Sequence, residues 1–187
     1  VYAAGDPPVH IRTIGGPTRG TDSRHFHLPR TITVDEGDDG SVYILDLLNR
    51  RVQVFDKLGE FRRSIATPTP PDTCPIAMAM EPGVRGHIYI SYLTKPHVDV
   101  FTKQGARVRT LLLGQVGVEG DDDYQLVLKN PFGISVEPGA DGRIFVVDPG
   151  QLEEDQILEA MKDGTLLRTF HVPNDQVIDR AKGDDLF

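Results

Sequence analysis

The sequence has no tryptophan, a single cysteine in 187 residues, and only 7% aromatic side chains. One cysteine, Cys74, excludes an internal disulfide. The chain is therefore expected to be intracellular and cytoplasmic, with Cys74 beside Pro75 acting as a small core residue. No apolar stretch approaches the roughly 20 residues that span a bilayer, and the first residues lack the basic-then-apolar order of a secretory leader, so no membrane partner is expected. Positive charge is short as well: 20 Lys and Arg stand against 28 Asp and Glu, for a net charge of −8. The deficit is local, because residues 113–187 hold six basic and sixteen acidic side chains while residues 1–65 hold nine of each. An acidic chain is poorly suited to duplex phosphates, and no DNA partner is expected. Nucleophile motifs and phosphate-cradling glycine loops are also missing. Asp121, Asp122 and Asp123 are contiguous, whereas a calcium loop spaces its ligands alternately. The expectation is no catalytic residue, no metal and no cofactor.

What the chain has in quantity is turns, with 19 Gly and 14 Pro. Residues 29–65 read as four short strands rich in β-branched and aromatic residues, each bounded by Gly, Asp, Asn or Pro. The same order returns twice. Pro29, Pro75 and Pro131 open the first strand of each unit, Gly40, Gly86 and Gly142 precede the second, and Gly59, Gly105 and Gly164 sit between the third and fourth. The fourth strand closes on an arginine, a hydroxyl residue and an apolar one: Arg63-Ser64-Ile65, Arg109-Thr110-Leu111 and Arg168-Thr169-Phe170, with an earlier Arg12-Thr13-Ile14. A four-stranded sheet exposes two faces and needs copies of itself to bury them. The fold predicted is all-β, a β-propeller of antiparallel blades.

At these residues the chain resembles the NHL repeat family. Asp46-Leu47-Leu48-Asn49-Arg50-Arg51 followed by Val52 to Asp56 looks like that family's core between second and third strands, whereas the second unit has Tyr92 in the aspartate's place and the third has Glu153-Glu154-Asp155 where Asn-Arg is expected. The resemblance implies an interaction platform, and such platforms serve several functions on one fold.

Full blades are expected over 29–65, 75–111 and 131–170, with half blades at 1–16 and 173–187, all in one propeller segment spanning 1–187. The segment fits a ring of six blades completed by further chain. Alternatively the terminal halves zip together and close a ring of four. Residues 151–161 have helical propensity, but the repeat register places a strand over 156–161, and the register is followed.

Strands a to d of a blade leave the b–c and d–a connections on one face of the ring. The d–a connections are long and dissimilar, so that face is expected to bind. Arg19, Arg24, His25, His27 and Arg30 gather beside Arg50 and Arg51, and Tyr92, Lys95 and His97 extend the patch into the second blade. Arg30 and Arg50 are expected outside strand interiors and nearest the channel, with Arg19 and Arg24 further out. Glu119, Asp121, Asp122, Asp123, Glu153, Glu154 and Asp155 supply the opposite sign on the third. The function expected is a non-catalytic scaffold that binds a protein at Arg19, Arg24, Arg30, Arg50, Tyr92, Lys95 and His97. A single-stranded RNA partner is the alternative, and a propeller hydrolase or lyase with an axial metal is the second alternative. Asp35, Glu81 and Glu137, recurring at the end of strand a, are expected to serve the a–b turns. Asp46 with Arg51, and Asp148, are expected to tie b–c loops. The His25-Phe26-His27 pair is not expected to hold zinc.

Overall fold

The computed structural model of the chain describes residues 2–3, 9–37, 39–67, 73–93, 95–113, 115–116, 125–126, 131–149 and 156–171. Among them there are strands and turns and no helix. Three four-stranded antiparallel sheets follow one another, each in simple chain order. Two small pairs accompany them: β1 (Tyr2–Ala3) with β2 (Val9–His10) before the first sheet, and β11 (Gln115–Val116) with β12 (Gln125–Leu126) between the second and third.

Blade 1 is β3 (Pro29–Val34), β4 (Val42–Asp46), β5 (Arg51–Phe55) and β6 (Phe61–Ala66). Blade 2 is β7 (Pro75–Met80), β8 (His87–Tyr92), β9 (Lys95–Thr102) and β10 (Arg107–Leu111). Blade 3 is β13 (Gly133–Val136), β14 (Arg143–Asp148), β15 (Gln156–Met161) and β16 (Leu166–His171). The inner strands therefore lie where the repeat puts them, and β15 is a strand in spite of its Leu, Glu and Ala content. Its partners decide the matter, since β15 pairs along its whole length with β14 and from Gln156 to Ala160 with β16. The expected half blade at 173–187 and the acidic residues 119, 121–123 and 153–155 lie outside the described residues.

The c–d turns need their glycines. Gly59, Gly105 and Gly164 have φ of 84°, 100° and 100°, a left-handed backbone open to glycine at little cost. Each donates its N–H back across the turn, to Asp56, Thr102 and Met161 respectively.

Two apolar layers hold the blades together. Tyr43, Leu45, Val52, Val54 and Ile65 of blade 1 meet Met78, Ile88, Ile90, Tyr92 and Phe101 of blade 2. The other face of blade 2, with Tyr89, Val98, Val100 and Leu111, meets Ile144, Val146, Leu158 and Ala160 of blade 3. Successive strand residues point to opposite faces, so the middle blade is buried on both sides. The outward faces of its neighbours still show apolar residues, Ile32 and Val34 on blade 1 and Val147, Ile157 and Phe170 on blade 3. Cys74 packs against a third cluster of Leu47, Ile76 and Ala77.

A polar lock recurs at each junction. The Lys103 ammonium of blade 2 pairs with Asp35 of blade 1, and the Lys162 ammonium of blade 3 pairs with Glu81 of blade 2, all four side chains being buried or nearly so. The strand-d arginine of blades 1 and 2 donates to the backbone carbonyl of the same lysine, Arg63 to Lys103 at 2.8 Å and Arg109 to Lys162 at 2.8 Å, whereas Arg168 of blade 3 pairs with Glu159 of its own blade. Arg12, upstream of blade 1, donates likewise to the Lys57 carbonyl at 2.5 Å. Arg12, Arg63 and Arg109 are thus part of the scaffold. The strand-a acids do more than serve their own turns. Glu81 does accept the His87 N–H at 3.0 Å, but both it and Asp35 reach across to the next blade's lysine. Glu137 instead pairs with Arg143 of its own blade at 2.7 Å.

Candidate interaction surface

The d–a/b–c face is organised by Asp46, which ends β4 with no solvent exposure. A buried carboxylate must collect donors to be tolerated. Asp46 accepts from the His27 N–H at 2.7 Å, Asn49 Nδ2 at 2.7 Å and Arg51 Nε at 2.9 Å. The remaining fork of Arg51 donates to the carbonyls of Thr21, Asp22 and His25 at 2.5, 2.7 and 2.9 Å. Gln53 and Asn49 add bonds to the carbonyls of His25 and Gly20. The long connection entering blade 1 is therefore strapped to the b–c loop, the scaffold role expected of Asp46 and Arg51. In blade 3 the Asp148 carboxylate is likewise buried and accepts from Gln156 Nε2 at 3.4 Å.

This strapping presents Arg19 and Arg24 as exposed side chains. Asp22 beside them accepts the Arg24 N–H and the His25 ring, and these bonds hold its carboxyl below the usual carboxylate range. Arg30, expected outside a strand interior, is the second residue of β3, at the register shift between Pro29 and Thr31. A bulge re-aims the side chain it carries. Here the guanidinium lies over the Phe132 ring of blade 3, 4.8 Å from its centroid. Arg50 is half-buried with φ of 50°, its carbonyl accepting the Thr67 N–H at 2.9 Å.

The expected extension into blade 2 is corrected. Tyr92 has no solvent exposure and belongs to the layer between blades 1 and 2, because an aromatic ring in the aspartate's place joins the core instead of gathering loop donors. Burial pushes its phenol well above the usual range, with the nearby Asp99 acting in the same direction. His97 is half-buried with its ring centroid 5.2 Å from that of Tyr92, and burial pulls its pKa down. Lys95 sits in β9, paired in register with Tyr92, and is half-buried. The structure therefore brings Arg19, Arg24 and Arg30 to the surface and leaves Tyr92 inside.

Residues that the sequence reading missed stand on the same face. Leu28, Leu48, Leu93 and Phe132 are 58%, 45%, 38% and 45% exposed, all on or beside d–a and b–c connections. Leu28 also has φ of 61°, a backbone region that a branched apolar residue avoids. The signal available in sequence was apolar side chains inside turn-rich loops, where polar residues are the norm. Among the described residues no group of three His, Cys, Asp or Glu side chains is arranged to hold a metal.

No protein-family model matches the chain, and no curated protein matches it. Solved structures do. The selenomethionine-substituted virginiamycin B lyase from Staphylococcus aureus is similar with a TM-score of 0.54 and 17% identity, over 84% of this chain and 44% of that one. A catalytically inactive form of the same lyase with Quinupristin gives 0.53 and 18%, over the same shares. The chain thus spans less than half the length of these proteins, and the likeness is one of fold, a β-propeller.

Proposed function

We propose that the chain is a non-catalytic interaction module whose protein partner covers the d–a/b–c face. The observation that carries the reading is the exposed set Leu28, Leu48, Leu93 and Phe132 beside the surface arginines 19, 24 and 30. Protein interfaces combine an apolar and aromatic centre with arginine. Arginine suits an acidic partner through its planar fork, and the NHL resemblance of blade 1 points the same way. The RNA alternative shares the cations but needs aromatic rings for bases to stack on, and three of the four exposed apolar residues of this set are leucines. A lyase reading, suggested by the virginiamycin B lyase structures, has the fold likeness alone behind it.

The test is titration of the chain with a peptide of alternating Leu and Glu and with oligouridine, each at two salt concentrations. The peptide is expected to bind, and Arg30→Glu to weaken it by about 1–3 kcal/mol, much of it in association rate. Leu28→Asn should weaken binding without loss of stability, since Asn accepts a left-handed backbone more readily than Leu. Oligouridine binding that falls steeply with salt and vanishes in Arg30→Glu would transfer the site to RNA.

A further inference from the structure

We propose that the cavity between blades 2 and 3 on the a–b/c–d turn face, opposite the interaction surface, is a binding site for a small organic phosphate. The cavity measures about 580 Å³, within the range of small-ligand pockets. Its polar lining is Glu81, Arg85, His87, Tyr89, Arg109 and Lys162.

The repeat supplies an internal control. Asp35, Tyr43, Arg63 and Lys103 form the same frame at the junction of blades 1 and 2, with Arg63 donating to the Tyr43 hydroxyl at 3.2 Å and to the Lys103 carbonyl at 2.8 Å. Around that frame the rim positions carry Glu36, Asp39 and Ser41; at the second junction the corresponding residues are Pro82, Arg85 and His87. Two acids have gone, and a guanidinium and an imidazole have arrived. None of these changes is needed to lock the blades, because Lys103 and Asp35 do so without them.

Charge within the cavity favours an anion. Glu81 is neutralised by Lys162 and also engages the His87 ring through Nδ1 at 3.1 Å. Burial alone would raise the Glu81 carboxyl, but these bonds outweigh it and hold the pKa below its usual value, so the ion pair persists at neutral pH. Arg85 and Arg109, both exposed, bring two guanidinium groups to the rim of the cavity in a chain whose net charge is −8, Arg109 also donating to the Lys162 carbonyl at 2.8 Å. Guanidinium groups bind phosphate oxygens through parallel N–H bonds. The Tyr89 phenol, pushed up to about 12 by burial and then by Glu81, stays protonated and hydrogen-bonds within the lock to Glu81 and Arg109.

Calorimetric titration of the full chain with glucose 6-phosphate, inorganic phosphate, citrate and glucose tests the proposal. Saturable binding of glucose 6-phosphate is expected, at least tenfold tighter than inorganic phosphate, with no binding of glucose. Arg85→Glu, which lies outside the lock, should lower that affinity tenfold or more while leaving the unfolding midpoint unchanged. Lys57→Glu, an exposed cation on the same face of blade 1, should leave it intact. Equal affinity for inorganic phosphate would give the site to the free ion, and citrate binding as tight as the sugar phosphate would give it to carboxylates; either overturns the assignment. Equal losses in Arg85→Glu and Lys57→Glu would reduce the effect to general surface charge and overturn it too.

Discussion

Replacing Lys103 by Met should be among the most damaging single changes that leave the apolar layers intact. Lys103 and Asp35 are 2% and 1% exposed, in different blades. Removing one partner of a buried pair costs about 3–5 kcal/mol, because the other charge stays in a medium that cannot solvate it. Asp35 retains one donor, the Gly83 N–H at 3.1 Å, which points to the lower end, near 3 kcal/mol. Lys103 also donates to the Gly83 carbonyl, but that acceptor keeps the Gly86 N–H at 3.0 Å. A loss of this size is a large share of the ~5–15 kcal/mol that stabilises a typical domain. Urea unfolding of the chain, followed by far-ultraviolet circular dichroism, reads the change directly. The double variant Asp35→Leu with Lys103→Met should recover most of it, since an apolar pair of similar volume often replaces a buried ion pair without net cost. Lys57→Met at the corresponding, exposed position of blade 1 should stay within about 0.5 kcal/mol. If Lys103→Met costs no more than Lys57→Met, the buried lock does not contribute to stability and the reasoning is refuted.

Three further outcomes are expected. Glu81 is held below its ordinary pKa of 4.5, so its stabilising contribution is present above that value and lost as pH falls through the folded-state pKa; acid unfolding curves of Glu81→Gln should show less pH dependence below about 4.5 than the parent. Gly105→Ala should cost about 1 kcal/mol or more, because φ is 100° and the new methyl would come 3.2 Å from Ile65; a melting curve no lower than the parent's would count against the turn geometry. Asp46→Ala should leave the His27 N–H and Arg51 Nε without their acceptor and release the connection they hold; hydrogen exchange at the His27 amide should accelerate by at least tenfold, and unchanged protection would mean that the strap is held by Arg51 alone.

Blade order, strand positions and turn glycines were legible in the sequence because they are local and repeated. Gln156 to Met161 shows the strength of that signal, since register prevailed over helical propensity. The lysine column was not legible. Lys103 meets Asp35 across 68 residues and Lys162 meets Glu81 across 81, and no local pattern announces a contact between neighbouring repeats. Tyr92 failed for a related reason. Its place at the end of β8 resembled a loop position, but whether a side chain there turns inward depends on the blade packed against it. Leu28 and Phe132 escaped notice because exposure is a property of the assembled face.

The lock between blades has a direction. The carboxylate always comes from the earlier blade and the lysine from the later one, and the strand-d arginines of blades 1 and 2 point the same way. Two blades therefore mate only head to tail, never face to face, as in a heterologous contact that repeats by rotation without any twofold axis. A duplicated gene segment of one repeat would arrive with both halves of the lock already in place. Such a fold can lengthen by whole units while each new seam inherits its own polarity, and a blade inserted in reverse order would bring two carboxylates or two ammonium groups together.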